Sequence, residues 1–288
     1  MNTTIIIFGI FFFVSTILAI SILLLNRYIN DQSVDPIEKK LKSESVQKVL
    51  AVLAHPDDEV MIAGTLAKLK KAGTEIHLLY LTHGEDGPTG GLVEQENLAE
   101  TRARELKQVA SILQADSLEI LNFPDRYLNT IPEPQLEAEI QTRITHINPD
   151  TVICFDQTVG LYGNLDHAYS GKIVHTLITK KTGIKNLLVM TLPAPMIRLA
   201  MKVSQTFKER YNPENGLPAA NICTQISNYG KQKKEVIKAH KTQVAVMNDV
   251  QPLWNKIPLW NKIPYPLYYR IFSKEYFHYT NVEDQEAS

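Results

Sequence analysis

Cysteine is scarce in this 288-residue chain, which has two, Cys154 and Cys223. Two thiols cannot build a disulfide framework, and Cys154 sits in an apolar run that reads as core, so a reducing compartment is favoured. An excess of either charge is lacking too. The 30 Lys and Arg residues against 31 Asp and Glu leave a formal charge of −1, which excludes bulk attraction to nucleic acid, and no nucleic-acid partner is expected. No strand-like segment runs into a G-x-G-x-x-G or G-x-x-x-x-G-K-[ST] loop, which disfavours dinucleotide and P-loop chemistry. With 44% hydrophobic and 21% charged residues the chain has the make-up of an ordinary globular protein.

Residues 5–25 are 21 consecutive uncharged positions rich in Ile, Phe and Leu, about the length that crosses a hydrocarbon core of roughly 30 Å as a helix. A cleaved signal peptide is the rival reading. It wants a basic start and a small-x-small site, whereas this chain begins Met-Asn-Thr-Thr and the apolar run continues past Ala19-Ile20-Ser21. A single-pass anchor over residues 1–28 is the favoured reading. Arg27, Lys39, Lys40 and Lys42 all follow the span, so the positive-inside rule puts the body of the protein on the cytoplasmic side, with the exported side as the alternative. Residues 29–46 read as a polar tether.

The most informative stretch is Val49-Leu50-Ala51-Val52-Leu53-Ala54-His55-Pro56-Asp57-Asp58-Glu59. Six apolar residues fit a strand buried on both faces, and Pro56 forces the chain out of it. A helix is expected from Glu59 through Lys71, with Asp57 or Asp58 as its cap. Strands are expected over 74–82, 118–123, 151–155 and 186–192, and helices over 98–113, 136–147 and 167–182. This alternation predicts a Rossmann-like α/β fold: a mainly parallel sheet with helices on both faces, preceded by one transmembrane helix. Ligands in such sheets bind outside the carboxyl ends of the strands.

Gly160-Leu161-Tyr162-Gly163-Asn164-Leu165-Asp166-His167 follows the fourth of these strands and reaches the same edge as His55. His55, Asp58 and His167 would offer three N/O ligands with a fourth position left for water, the pattern of a catalytic zinc site, and Asp57 would be free to take a proton. The spacing fits equally an Asp58 that only caps a helix and a His167 that only begins one.

Ala-His-Pro-Asp-Asp-Glu after a buried strand, with Gly-x-Tyr-Gly-x-x-Asp-His about 110 residues on, resembles the PIG-L/LmbE-like zinc de-N-acetylases. The resemblance extends through Leu98-Ala99-x-x-Arg102-x-x-Glu105-Leu106, Phe123-Pro124-Asp125 and Lys238-Ala239-His240-Lys241-Thr242-Gln243. It implies Zn2+ on His55, Asp58 and His167, and Asp57 as general base. It implies substrate contacts for Arg102 and Asp125, oxyanion stabilisation by Tyr162, and a histidine-orienting carboxylate in Asp166. His240, on an expected helix, either lines the pocket as a substrate contact or merely packs. The implied reaction is removal of the N-acetyl group from an N-acetylglucosaminyl lipid or glycan. A soluble conjugate or a non-catalytic sugar-binding role are the alternatives. Many relatives read Gly-His-Pro-Asp-His; Asn164 and Leu165 replace the first His and the Pro here, and Asn164 can donate a hydrogen bond to an oxyanion but cannot deliver a proton.

Leu-Trp-Asn-Lys-Ile-Pro occurs at 253–258 and again at 259–264, and carries both tryptophans of the chain. Two readings fit, a loop dipping into a membrane interface or a duplication packed on the domain. The expected organisation is thus an anchor (1–28), a tether (29–46), a deacetylase domain (47–250) and an aromatic, Pro-rich extension (251–288) packed on it. The sequence leaves oligomeric state open.

Overall fold

The computed structural model describes residues 3–41, 46–178, 183–244, 246–247 and 264–282. The chain runs α1 (Thr3–Ile29), β1 (Asp35–Pro36), β2 (Lys48–Leu53), α2 (Ala63–Lys71), β3 (Glu75–Thr82), α3 (Leu98–Leu113), β4 (Ser117–Phe123) and α4 (Glu133–Ile147). It continues through β5 (Thr151–Cys154), the single turn α5 (Gly160–Gly163), α6 (Leu165–Ile178), β6 (Asn186–Thr191), α7 (Ala194–Val203) and α8 (Gln205–Arg210). β7 (Ile222–Gln225), α9 (Gly230–Ala239), a helix α10 (Tyr265–Ile271) and β8 (Lys274–Asn281) complete it. All eight strands form one sheet in the order β1-β7-β8-β6-β5-β2-β3-β4.

The apolar run of β2 sits at the heart of the sheet because both of its faces are covered. Val49, Ala51 and Leu53 pack with α2, α3 and α9 through Leu66, Leu106 and Val236. Leu50, Val52 and Ala54 pack on the other face with α4 and α6 through Ile140 and Ile173. Period-two alternation thus feeds two cores, one per face. β2 pairs in parallel with β3 (Val49↔Ile76) and with β5 (Val49↔Thr151). From β2 the chain steps outward to β3 and β4, then returns to β5 on the other side of β2, so the strand order reverses between β2 and β5. The crevice at that reversal is where His55 leaves β2 and where the 156–167 segment leaves β5.

The sheet is mixed: β8 runs antiparallel between β6 and β7, with Phe277 opposite both Met190 and Ile222. The sequence reading sets 251–288 apart as an extension, yet residues 274–281 lie inside the sheet. Helices on the two faces leave a period that can be read locally, whereas a strand placed by pairing with residues some ninety positions earlier announces itself only through its aromatic content. The tether is not free either, since Asp35 and Pro36 pair with Ile222 and Cys223 at the sheet edge. The repeat at 253–264 lies outside the described residues, apart from Pro264.

The first helix also differs from expectation. Residues Asp58–Met61 form a 3-10 turn, α2 begins only at Ala63, and neither Asp57 nor Asp58 caps it. The cap comes from β8: the Glu275 carboxylate accepts hydrogen bonds from the Gly64 and Thr65 amides (3.0 and 2.7 Å), and Lys233 Nζ lies 2.6 Å from it. That frees both aspartates for the crevice. α1 stands clear of the domain over residues 4–21, which are exposed throughout, and is the one described helix long and apolar enough to cross a membrane.

Candidate metal centre and its surroundings

The turn that leaves β2 is held in an unusual backbone shape. Asp57 has φ +106°, a left-handed conformation costly for any residue but glycine. Buried contacts hold it there. The Asp57 amide donates to Glu59 Oε2 (3.2 Å), which also accepts from the Tyr80 hydroxyl (2.8 Å), while the other Glu59 oxygen pairs with His240 Nε2. Arg102 clamps the turn from outside, donating to the carbonyls of Pro56 and of Gly84 (2.8 Å) with Nη2 3.3 Å from Asp57 Oδ2.

His55, Asp58 and His167 converge. His55 Nδ1 lies 3.1 Å from His167 Nε2, and His167 Nε2 lies 3.0 Å from Asp58 Oδ1. The far nitrogen of each ring has its own partner. His55 Nε2 faces the carboxylates of Asp166 (3.1 Å) and Asp125 (3.2 Å), and His167 Nδ1 faces the Gly160 carbonyl (3.2 Å). Those acceptors assign the ring protons to the far nitrogens. Two imidazole lone pairs and a carboxylate oxygen are therefore aimed at one another, which is unfavourable unless positive charge sits between them.

The protein shows that demand. Burial pushes the His55 pKa down, but Asp125, Asp166 and Asp58 outweigh it and hold it well above the ordinary histidine value. Burial likewise pushes Asp58 up, while His167 and His55 hold it well below the usual carboxylate range. A proton on His55 is one way to supply the charge; a divalent cation is the other. Ligand atoms on a tetrahedral metal with bonds of about 2.0–2.1 Å are about 3.3 Å apart, close to the 3.0 and 3.1 Å found. The donor set and its spacing fit a metal.

The support around the ligands explains several sequence features. Asp166 also accepts from the Arg126 and Leu128 amides (2.7 and 3.1 Å), which fixes the carboxylate that orients His55. Phe155 stacks on His167 with ring centroids 3.7 Å apart. Gly160 has φ +59°, and a Cβ there would meet the Ala168 nitrogen at 2.5 Å, so only glycine lets this carbonyl reach His167.

Asn164 caps α6, its Oδ1 accepting from the Asp166 and His167 amides at 2.9 and 3.3 Å, and its Nδ2 lies 3.4 Å from the Tyr162 hydroxyl. Tyr162 lies edge-on to His167, and burial, followed by the charge of Asp58, pushes its hydroxyl up to about 12.

Arg102, Asp125 and His240, the residues expected to touch substrate, each have partners inside the protein. Asp125 is buried against His55 and accepts from the Asp86 amide (2.9 Å). Arg102 is buried over the 55–57 turn, with its Nε lacking a partner. His240 is fully buried against Glu59. Glu59, which the sequence offers only as a residue suited to a helix start, is the buried hub of the cluster under Asp57. Its partner His240 comes from the stretch Lys238 to Gln243, which the sequence offers only as part of the family resemblance. There Thr242 donates to Glu105 through its amide and hydroxyl (2.9 and 2.7 Å), and this bond delivers His240 beneath the turn. From Asp58, His167 and Tyr162 an apolar cleft extends along β6 toward α7 and α10.

Residues 50–178 match the profile of the PIG-L family, described as GlcNAc-PI de-N-acetylase. Over 127 residues the chain is 35% identical to the diacetylchitobiose deacetylase of Thermococcus kodakarensis; that stretch is 44% of this chain and 47% of the relative, so the chain spans about half of its length. It is 27% identical over 201 residues to a probable N-acetyl-alpha-D-glucosaminyl L-malate deacetylase of Bacillus anthracis, covering 68% and 81% of the two chains. The fold is similar to that of N,N'-diacetylchitobiose deacetylase from Pyrococcus horikoshii, with a TM-score of 0.61, 18% identity, and 88% and 97% of the chains covered.

Proposed function

From the match of residues 50–178 to the PIG-L family profile, we propose that the chain is a Zn2+-dependent hydrolase that removes the N-acetyl group from an N-acetylglucosaminyl lipid or glycan. The observation that carries this reading is the convergence of the His55 and His167 lone pairs with Asp58, beside an Asp57 held out of the helix. Zn2+ on these three residues would supply Lewis acidity toward an amide carbonyl and lower the pKa of water. Asp57 is the base. Burial raises its pKa to about 6, with Arg102 opposing, so at neutral pH it is ionised yet basic enough to accept a proton from water. Tyr162 keeps its proton and donates a hydrogen bond as charge develops on the amide oxygen. Asn164 faces Tyr162 and cannot deliver a proton, so the proton taken by Asp57 is the one returned to the departing amine. The products are acetate and a free amine.

The anchor reading of α1 rests on the exposed apolar residues 4–21. We place the domain on the cytoplasmic face because Arg27 closes the helix and no basic residue precedes it. A lipid-linked acceptor suits an anchored enzyme, whereas the similarity to a diacetylchitobiose deacetylase and to a probable N-acetyl-alpha-D-glucosaminyl L-malate deacetylase favours a soluble conjugate. Acetate release from N-acetylglucosaminyl-phosphatidylinositol and from soluble N-acetylglucosamine conjugates, each with and without a chelator, decides between them. Protein carrying one zinc that deacetylates none of these substrates would refute the enzyme reading.

A further inference from the structure

The apolar cleft does not end in bulk solvent beside the metal centre. At one end it is walled by Asp58, His167 and Tyr162, and at the other by Met196 and Leu199 of α7 and by Phe272 after α10. Those last three side chains also pack against the foot of α1, with Ile22, Leu25, Ile29 and Ile271. The cleft and the anchor therefore share a wall.

The foot of α1 is fixed there by polar bonds as well as by packing. Asn26 Nδ2 donates to the Arg270 carbonyl (2.7 Å) and to Ser273 Oγ (2.8 Å), and Asn30 Nδ2 donates to the Ile271 carbonyl (2.6 Å). Above this foot, residues 4–21 are exposed and apolar. They amount to about 27 Å of helix at 1.5 Å per residue, close to the roughly 30 Å of a hydrocarbon core. With that length in a bilayer, the membrane boundary falls at Ile22, the level at which Met196, Leu199 and Phe272 meet α1. The cations on the cleft wall are already engaged, Lys233 with Glu275 (2.6 Å) and Lys274 with the Asp31 carbonyl (2.8 Å). Away from the metal end, and apart from these pairs and the hydroxyls of Thr191 and Ser204, the cleft offers hydrocarbon and aromatic surface.

We propose that this cleft receives the hydrocarbon chain of the substrate itself, which enters sideways from the leaflet around α1 and lays its N-acetylated sugar on the metal centre. The inference rests on the lipid-linked form of the proposed substrate. α1 is then more than a tether: it sets the cleft mouth at the depth where acyl chains begin, and α7 and α10 form the entry walls.

The test uses the full chain in phosphatidylethanolamine–phosphatidylglycerol vesicles with a long-chain alkyl N-acetylglucosaminide bearing a diazirine in the alkyl chain. Light should attach the probe to Met196, Leu199 or Phe272. Attachment confined to the exposed positions 4–21 of α1 would overturn the proposal. In parallel, Leu199→Glu and Met196→Glu should each lower the kcat/KM ratio of the long-chain over the methyl N-acetylglucosaminide at least tenfold. Thermal melts identify variants that have failed to fold, and an unchanged ratio in both folded variants also overturns the proposal. Deacetylation of either glycoside by the unmodified chain reports on the enzyme reading separately. Absence of both activities would refute that reading while the cross-linking still decides the occupant of the cleft.

Discussion

Replacing Asp166 by asparagine removes one of the two carboxylates that hold the proton on His55 Nε2, and the structure allows the effect to be sized. Oδ2 of Asp166 meets His55 Nε2 (3.1 Å) and the Arg126 amide, while Oδ1 takes the Leu128 amide. Asparagine has one acceptor oxygen. If that oxygen keeps the Oδ2 position, the new NH2 faces the Leu128 N–H and leaves a buried donor unpaired, at about 1–3 kcal/mol of stability. The opposite orientation loses two bonds and turns a donor toward His55, so the first is preferred and the ring keeps its proton arrangement. Asp125, 3.2 Å from the same nitrogen, still supplies a negative charge. We therefore expect Asp166→Asn alone to weaken Zn2+ binding about tenfold, or about 1.4 kcal/mol. Asp166→Asn with Asp125→Asn should approach a hundredfold loss, because no carboxylate then faces Nε2. Competition against a fluorescent zinc chelator measures the affinity, and thermal unfolding of the metal-free proteins measures the stability cost. A double variant that binds zinc as tightly as the parent would show that the far-side partners of His55 do not direct its lone pair, and the case for convergent lone pairs would fail with it.

Asp57→Asn should retain zinc while losing about 10²- to 10⁴-fold in turnover, as read by acetate release beside metal analysis; loss of metal instead would mean that base and ligand roles are misassigned. Because the Asp57 pKa is raised to about 6, its base form disappears as pH falls, so kcat/KM should climb with pH and level off above that value. A bound cation favours the carboxylate and moves this limb lower, so a limb centred above pH 7 would exclude Asp57 as the base. His240→Ala leaves the fully buried Glu59 carboxylate without its cation and should cost about 3–5 kcal/mol, seen as a lower denaturation midpoint; a change within about 0.5 kcal/mol would mean that the pair is not ionic. Gly160→Ala meets both a left-handed backbone and a 2.5 Å contact with the Ala168 nitrogen, and should destabilise the chain by about 3 kcal/mol in the same assay.

Local periodicity made much of the architecture readable. The expected helix over 98–113 is α3 residue for residue, and each of the four expected strands after 49–54 lies within a residue or two of its observed bounds. These elements carry their own pattern, since a strand buried on both faces needs an apolar run and an amphipathic helix needs spaced apolar residues. What the sequence hid is what depends on distant partners. Lys274 to Asn281 became a strand inside the sheet because β6 and β7 offer edges to it, and Glu275 on that strand caps α2 from 210 residues away. The helix expected to begin at Glu59 waits until Ala63 for the same reason.

The site divides along the same line. The types and spacing of His55, Asp58 and His167 were enough to suspect metal, because ligand chemistry resides in the side chains themselves. The roles of Glu59, His240 and Asn164 were not readable, because each is defined by what lies opposite. Glu59 resembles any acidic residue at a helix start until Tyr80 and His240 close over it, and Asn164 resembles a replaced catalytic group until its oxygen is found on the α6 amides. That last placement bears on chemistry. An asparagine that caps the helix carrying His167 performs a structural task at this position, independent of proton transfer. In the proposed reaction the proton cycle then falls to Asp57, which lines the cleft beside Asp58, whereas Asp125 and Asp166 are engaged with His55 Nε2.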